Sequence, residues 1–188
     1  MSAPIVDIVD RDNHPRGFRA DVDHATRFGQ WFRGIHVVLY TRDGDILVER
    51  RAHRMIFHPD YVDISLGGIV DAGEDPAQTA VREIEEEVGL AVRRKDLQFI
   101  SINRYNHHWP SYHKRARNII YHYLVEIPNR YSPLQLQRKE VADAEFISLH
   151  QARRLLRRHY LARVGRVEPR YAMYGHLLDA VEDRLNQH

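Results

Sequence analysis

The sequence predicts one domain of the mixed α/β (α+β) class, in which short strands alternate with amphipathic helices. A strand-turn-strand pattern is centred on Asp43 and Gly44, and a helix with recognisable ends lies between Asp75 and Gly89. After this helix the chain has further apolar segments, some with the length of a strand and some with the length of a helix. A chain of 188 residues suits one compact domain with extra terminal elements better than two domains.

The elements before the capped helix are predicted from short apolar runs that end at turn residues. Asp43-Gly44 is a typical hairpin turn, so the runs on either side of it should pair as antiparallel strands. Turn-forming residues at 12–15 indicate that a hairpin or arm opens the fold, and Gly67-Gly68 indicates a loop after the last of these strands. The predicted strands are residues 5–9, 34–41, 46–48 and 61–66.

The central helix and the later elements are predicted from caps and periodicity. Asp75 is suited to the N-cap and Pro76 to the first helical position, while Gly89 suits a left-handed C-cap. The apolar side of the last helix predicts packing on the core or against a second copy, so a homodimer is one expectation. The later predicted elements are strands at 97–102, 118–127 and 144–149 and helices at 150–160 and 170–186.

Composition excludes several classes of protein. Lys plus Arg number 28 and Asp plus Glu number 26, and this balance does not resemble a protein built around a nucleic-acid backbone. The absence of cysteine excludes disulfides, thiolate metal sites and a cysteine nucleophile. No apolar run approaches the ~20 residues of a membrane span, and the charged start lacks a signal peptide's apolar stretch. We therefore expect a cytoplasmic protein without a membrane segment.

Three glutamates of the central helix are the strongest candidates for chemistry. At about 100° per residue, the spacing of Glu83, Glu86 and Glu87 places them on one arc, while Glu85 points elsewhere. Clustered like charges repel each other, which indicates a cationic partner. Carboxylates without histidine or thiolate suit Mg²⁺ or Mn²⁺, which typically bridge protein carboxylates to substrate phosphates. The alternative is a solvated acidic face braced by Arg82.

The flanks of this helix carry a longer pattern, G-x5-E-x7-R-E-U-x-E-E-x-G-U, where U is a bulky aliphatic residue. Its nine defined positions are Gly68, Glu74, Arg82, Glu83, Ile84, Glu86, Glu87, Gly89 and Leu90. This segment resembles the Nudix box. The resemblance implies the Nudix fold, a mixed β-sheet sandwiched between helices, here with an extra C-terminal helix. Residues 1–188 would form a single Nudix domain, with an arm at 1–33, a core at 34–160 and a helical extension at 161–188.

The same resemblance implies an activity and its residues. The reaction would be metal-dependent hydrolysis of the diphosphate bond in a nucleoside diphosphate linked to another moiety. Glu83, Glu86 and Glu87 would bind Mg²⁺ or Mn²⁺, with the carbonyl of Gly68 as a further ligand. Arg82 joins this catalytic set because, with Glu74, it would orient the helix and the loop before it.

Two regions outside the box are candidates for binding a small nucleotide or other diphosphate substrate. Arg51 follows the strand before the box, and its guanidinium suits a substrate phosphate, although a surface role is the alternative. The aromatic and basic stretch 105–115 is expected to be a loop between two strands. There Tyr105 and Trp109 would contact a base or sugar; the alternative is an ordinary long hairpin loop.

A carboxylate beyond the box could take the proton from the attacking water. Glu140 is the candidate because it precedes an apolar strand and should lie where a loop meets that strand. Asp143 and Glu145 are its rivals, and the alternative is that Glu140 is a solvated loop charge.

Two other functions compete with hydrolysis. The first strand, the hairpin and Arg51 are also similar to isopentenyl-diphosphate isomerases, but the lack of cysteine argues against that proton-transfer chemistry. A Nudix-fold sensor would bind a ligand without turnover, yet such a module does not need every box carboxylate. Hydrolysis is therefore the leading hypothesis.

Overall fold

The computed structural model describes residues 3–55, 59–109, 113–163 and 169–187, and these form a mixed α/β fold as predicted. They contain one nine-stranded sheet and four α-helices, with a short 3₁₀ turn at Arg94–Asp96. The strands are β1 (Ile5–Val9), β2 (Pro15–Asp21), β3 (Trp31–Thr41), β4 (Asp45–Arg51), β5 (Val62–Asp63), β6 (Leu66–Ile69), β7 (Gln98–Trp109), β8 (Lys114–Ile127) and β9 (Val141–Ser148). The helices are α1 (Val22–Arg27), α2 (Pro76–Val88), α3 (Leu149–Arg163) and α4 (Pro169–Leu185).

Strand β3 is the centre of the sheet. Its whole length pairs in parallel with β8, from Trp31 opposite Arg117 to Thr41 opposite Ile127. Its other edge pairs antiparallel with β1, β6 and β4 in turn. Strand β7 then extends the sheet beyond β8, and β9 extends it beyond β4. Strands buried on both faces favour continuous apolar runs, which is why β3 is rich in β-branched residues.

Two apolar cores cover the two faces of the sheet. On one face, α2 contributes Ala80, Ile84 and Val88, which pack against β3 and β8. On the other, α4 buries Leu177, Leu178 and Val181, all fully inaccessible, against residues such as Val38 and Leu124. The apolar side of α4 is therefore occupied by this chain's own core. None of the described helices is long and apolar enough to cross a membrane.

The structure differs from the sequence prediction in the length and division of several strands. The predicted strand at 61–66 is two short strands, and the glycines expected in a loop lie inside β6, where Gly68 pairs with Ile35. The prediction of a loop at 105–115 is wrong for most of that range, because Tyr105 to Trp109 belong to β7 and Lys114 and Arg115 belong to β8. Residues 110–112 lie outside the described part. Pairing with the next strand, β8, stabilises these polar segments as sheet, and local composition does not reveal how far that hairpin extends.

Candidate active site

Helix α2 begins and ends where its capping residues predict. The carboxylate of Asp75 accepts hydrogen bonds from the amides of Ala77 and Gln78 at 2.9 and 3.1 Å, and the Asp75 amide donates to the side-chain oxygen of Gln78. Gly89 ends the helix with φ of 72°, and a Cβ there would lie 2.6 Å from Cβ of Gln135. These contacts fix both ends of α2 and therefore the position of each glutamate along the helix.

The loop before α2 is attached to the N-terminal hairpin. The amide of Gly73 donates to the Asp7 carboxylate at 2.8 Å, and the amide of Ala72 donates to the Ile5 carbonyl at 2.8 Å. Arg19 pairs with the same Asp7 carboxylate at 2.9 Å. The hairpin of β1 and β2 thus holds the loop between β6 and α2 in place.

Arg82 joins this loop to the glutamates of α2. Its guanidinium bonds both oxygens of Glu74 at 3.2 Å, Glu83 at 2.9 Å and Glu86 at 3.1 Å. Burial alone would lower the pKa of Arg82, but the surrounding carboxylates, Glu74 and Glu83 foremost, raise it overall. The side chain therefore stays charged and braces the loop against the helix.

Two carboxylates are buried together, each with one oxygen that lacks a hydrogen-bond partner among the described residues. Glu87 of α2 is 4% exposed and Glu49 of β4 is 3% exposed. In both residues this oxygen is Oε2. Burial raises the pKa of Glu87 well above its usual range, and the charge of Glu49 raises it further. Burial also raises the pKa of Glu49, followed by the charge of Asp63, whereas Arg51 at 3.8 Å lowers it.

Glu83 lies between this buried pair and solvent, with 13% of its side chain exposed. Burial raises its pKa to about 7; Arg82 opposes the rise, while Glu86 and Glu140 add to it. Gly68 allows Glu83 to approach β6, because a Cβ at this position would lie 2.6 Å from Oε1 of Glu83. A Cβ on Gly34 would in turn lie 3.1 Å from the Gly68 carbonyl oxygen, so the absence of a side chain at Gly34 gives that oxygen room.

The segment before β9 brings Glu140 to the same cluster. The amide of Gln137 donates to the Glu87 carbonyl at 2.9 Å, and the amide of Ala52 donates to the Glu140 carbonyl at 2.7 Å. Glu140 itself is exposed, and its charge contributes to the raised pKa of Glu49, Glu83 and Glu87. A carboxylate at the solvent side of a buried cluster is suited to exchange protons with it.

The rivals of Glu140 lie further along β9. Asp143 pairs with Arg50, and Glu145 pairs with Val48, whose side chain packs on the α4 side of the sheet. Glu145 is therefore on the opposite face of the sheet from Glu49, the next residue of β4.

The structure brings most of the candidate residues together and leaves two apart. The assembled residues are Gly68, Arg82, Glu83, Glu86, Glu87, Arg51 and Glu140. Tyr105 lies on β7, where it stacks on His107 with ring centroids 5.8 Å apart, and Trp109 ends the same strand. Strands β8 and β3 separate β7 from β6 and its Gly68.

Glu49 belongs to the cluster and is absent from the sequence-based candidates. The sequence shows only that Leu47 and Glu49 share a face, because a strand repeats its facing every two residues. The structure shows that this face is turned to the α2 core. Glu49 therefore has to point into the same core, and a carboxylate at such a position is rarely buried without a charged or metal partner.

The carboxylates do not form a ready metal shell. Within residues 3–55, 59–109, 113–163 and 169–187, no three acidic or histidine side chains have the spacing that a bound ion requires. Arg82 accounts for part of this, since it bonds both Glu83 and Glu86. The chemistry of the donors nevertheless suits a hard cation, because the unpaired oxygens of Glu49 and Glu87 are buried carboxylate oxygens.

The site lies on a mixed sheet between helices, where a carboxylate-bearing helix lies next to a glycine-containing strand. Residues 31–166 match the NUDIX domain model, and the chain belongs to the Nudix family, as the box pattern predicted. It is a hydrolase of this family.

Relatives and solved structures agree with this assignment. A Pseudomonas aeruginosa protein named as an uncharacterized Nudix hydrolase is 31% identical over 161 residues, which are 81% of this chain and 86% of that protein. A solved structure from Deinococcus radiodurans matches 84% of this chain and 90% of its own, with 19% identity and a TM-score of 0.59. The C. elegans Ap4A hydrolase matches 83% of this chain and 98% of its own, with 19% identity and a TM-score of 0.54. The two structural matches show the shared fold.

Proposed function

We propose that this protein uses Mg²⁺ or Mn²⁺ to hydrolyse the diphosphate bond of a nucleoside diphosphate linked to another moiety. The observation that carries the proposal is the pair of buried carboxylates, Glu49 and Glu87, each with an oxygen that lacks a partner among the described residues. Burying two such groups costs several kcal/mol unless a cation compensates them. A protein that only needed stability would gain by replacing them with apolar residues.

The residues that would hold the metal are Glu83, Glu86 and Glu87, with Glu49 and the Gly68 carbonyl beside them. When bound, the cation would neutralise charge on the diphosphate oxygens and acidify the attacking water. Arg82 must release Glu83 and Glu86 at least in part for both to serve as ligands, while its bonds to Glu74 can persist.

The roles of the other residues follow from where they lie. Arg51, at the edge of the cluster and 22% exposed, would bond the outer phosphate oxygens of the substrate. Glu140, exposed and adjacent to the buried carboxylates, would accept the proton of the attacking water and pass it to solvent. Tyr105 and Trp109 stay without an assigned role, because β7 is separated from the cluster by two strands. The proposed setting is the cytoplasm, with a small diphosphate as substrate.

The test is a panel of nucleotide sugars, dinucleotides, nucleoside triphosphates and alcohol diphosphates, each incubated with Mg²⁺ or Mn²⁺. Product release should require the metal and should fall at least ~100-fold in Glu87→Gln. Glu85→Gln is the matched control, because Glu85 is exposed on the same helix and should keep turnover within about threefold. Equal losses in the two variants would contradict the assignment of the carboxylate face. Rearrangement of isopentenyl diphosphate without hydrolysis of any nucleotide would favour the isomerase instead.

A further inference from the structure

A second charged site lies at the far end of β3 and β8 from the carboxylate cluster. It is a cleft of about 340 Å³ between the end of α1 and the adjoining ends of β7 and β8. Arg117 at this cleft pairs with Trp31, whereas Gly68 pairs with Ile35. Four residues of extended strand correspond to about 13 Å, so the cleft is separate from the proposed catalytic site.

Positive charge dominates this cleft. Its lining includes Arg27, Lys114, Arg115 and Arg117, and none of its described lining residues is acidic. Lys114 has a carboxylate partner just outside, Asp23 at 2.6 Å. Like charges that line one cleft repel each other, so this cluster lowers the stability of the fold unless an anion binds there.

Two of the arginines, Arg115 and Arg117, are held by neutral groups, which leaves their charge available. Nε of Arg115 donates to the side-chain oxygen of Asn106 at 2.8 Å. Nη1 of Arg117 donates to the carbonyl of Gly29 at 3.0 Å, and its Cζ lies 5.9 Å from the centre of the Trp31 ring. Gly29 lies close to both side chains, since a Cβ there would lie 3.5 Å from Cδ of Arg115 and 3.9 Å from Cζ of Arg117. Guanidinium groups oriented in this way by neutral acceptors are prepared to bind an anion.

An aromatic ring accompanies the charge. Phe28 lines the cleft and is 64% exposed, and the ring of His24 contacts it with centroids 4.5 Å apart. An exposed ring of this kind provides a stacking surface for a nucleic-acid base. The volume of the cleft is also within the range of pockets for small ligands.

We propose that this cleft binds the phosphate group of a nucleotide between Arg27, Arg115 and Lys114, with the base against Phe28. The nucleotide is either free in solution or the 5′ end of a single-stranded RNA, because both present the same phosphate and base. This site is independent of the proposed hydrolysis, since it shares none of the carboxylates.

The experiment measures AMP binding by calorimetry in the presence of EDTA, so that no metal ion at the carboxylate cluster can bind the phosphate. Wild-type protein should bind AMP and should not bind adenosine. Arg115→Gln should weaken AMP binding about tenfold, which is the loss of one charge-assisted contact. Arg42→Gln is the matched control, because Arg42 is an exposed arginine in the turn after β3 that pairs with Glu126 at 3.3 Å. This variant should bind AMP within about twofold of wild type.

A second variant and a second ligand complete the test. Phe28→Ser should weaken AMP binding without changing the affinity for inorganic phosphate. A 5′-phosphorylated tetranucleotide RNA that binds more tightly than AMP, and still depends on Arg115, would identify RNA as the source; equal affinities would identify the free nucleotide. Absence of AMP binding up to 10 mM, roughly the weakest specific affinity of interest, would overturn the proposal. Equal affinities of Arg115→Gln and Arg42→Gln would overturn it as well.

Discussion

Replacing Glu83 by Gln should stabilise the metal-free protein, and the gain should appear only at neutral and alkaline pH. Burial raises the pKa of Glu83 to about 7 from its ordinary value of 4.5. Between these values the folded state binds more protons than the unfolded state, so stability falls as pH rises and is constant above pH 7. One pKa unit corresponds to about 1.4 kcal/mol, so the free energy of unfolding should fall by about 3 kcal/mol in total between the two pKa values. Because 13% of the side chain is exposed, solvent screens part of this effect, and we expect a loss of about 2 kcal/mol in the free energy of unfolding.

Denaturant unfolding in EDTA at pH 5 and pH 8 measures this effect. The free energy of unfolding of Glu83→Gln should exceed that of wild type by about 2 kcal/mol at pH 8 and by less than about 1 kcal/mol at pH 5. Glu85→Gln, on the exposed side of α2, should match wild type at both pH values. Added Mg²⁺ should stabilise wild type more than Glu83→Gln. A gain of the same size at both pH values would refute the electrostatic origin of the effect.

Three further predictions concern single positions. Glu140→Gln should lower turnover about 100-fold without changing the melting temperature, because Glu140 is exposed; near-normal turnover across the pH range would exclude it as the base. Burial, and then the charges of His36 and His176, lower the pKa of His122 to about 3, so stability should fall as pH drops from 6.5 towards 3, by at most about 1.4 kcal/mol per unit. His122→Leu should flatten this slope in acid unfolding curves, and an unchanged slope would assign it to other groups. Gly68→Ala should lower kcat, because its Cβ would displace the Glu83 carboxylate, while the protein still folds with a cooperative melting transition. An unaltered kcat would contradict the role of that contact.

The parts of the fold that the sequence predicts are those that depend on neighbouring residues. Asp75 and Gly89 delimit α2 through bonds within one turn of the helix, so their chemistry alone predicts both ends. The turn at Asp43-Gly44 is equally local, and Gly44 has the expected positive φ of 83°. The glutamates of α2 could be grouped for the same reason, because helical spacing determines which of them share a face.

The parts that escape prediction depend on strand pairing and burial, which local composition does not reveal. Tyr105 and its neighbours form a strand because β8 pairs with them from Lys114 onwards, and their polar composition gives no sign of it. Glu49 is buried because β4 lies under α2, which a single strand cannot indicate. The division into an arm, a core and a helical extension stays a prediction. In the structure, β1 pairs with β3, and α4 supplies part of a core.

The pairing of β4 with β9 has a consequence for how the protein folds. Glu49 lies opposite Ala144, about 95 residues later in the chain, and this pairing is what delivers Glu140 to the end of α2. Contacts of such long sequence separation form late and slowly, because the loop between them must first be closed. An intermediate with α2 already helical but β9 undocked would therefore have no assembled carboxylate cluster. Assembly of the cluster thus requires completion of the sheet, and isolated α2 cannot reproduce it.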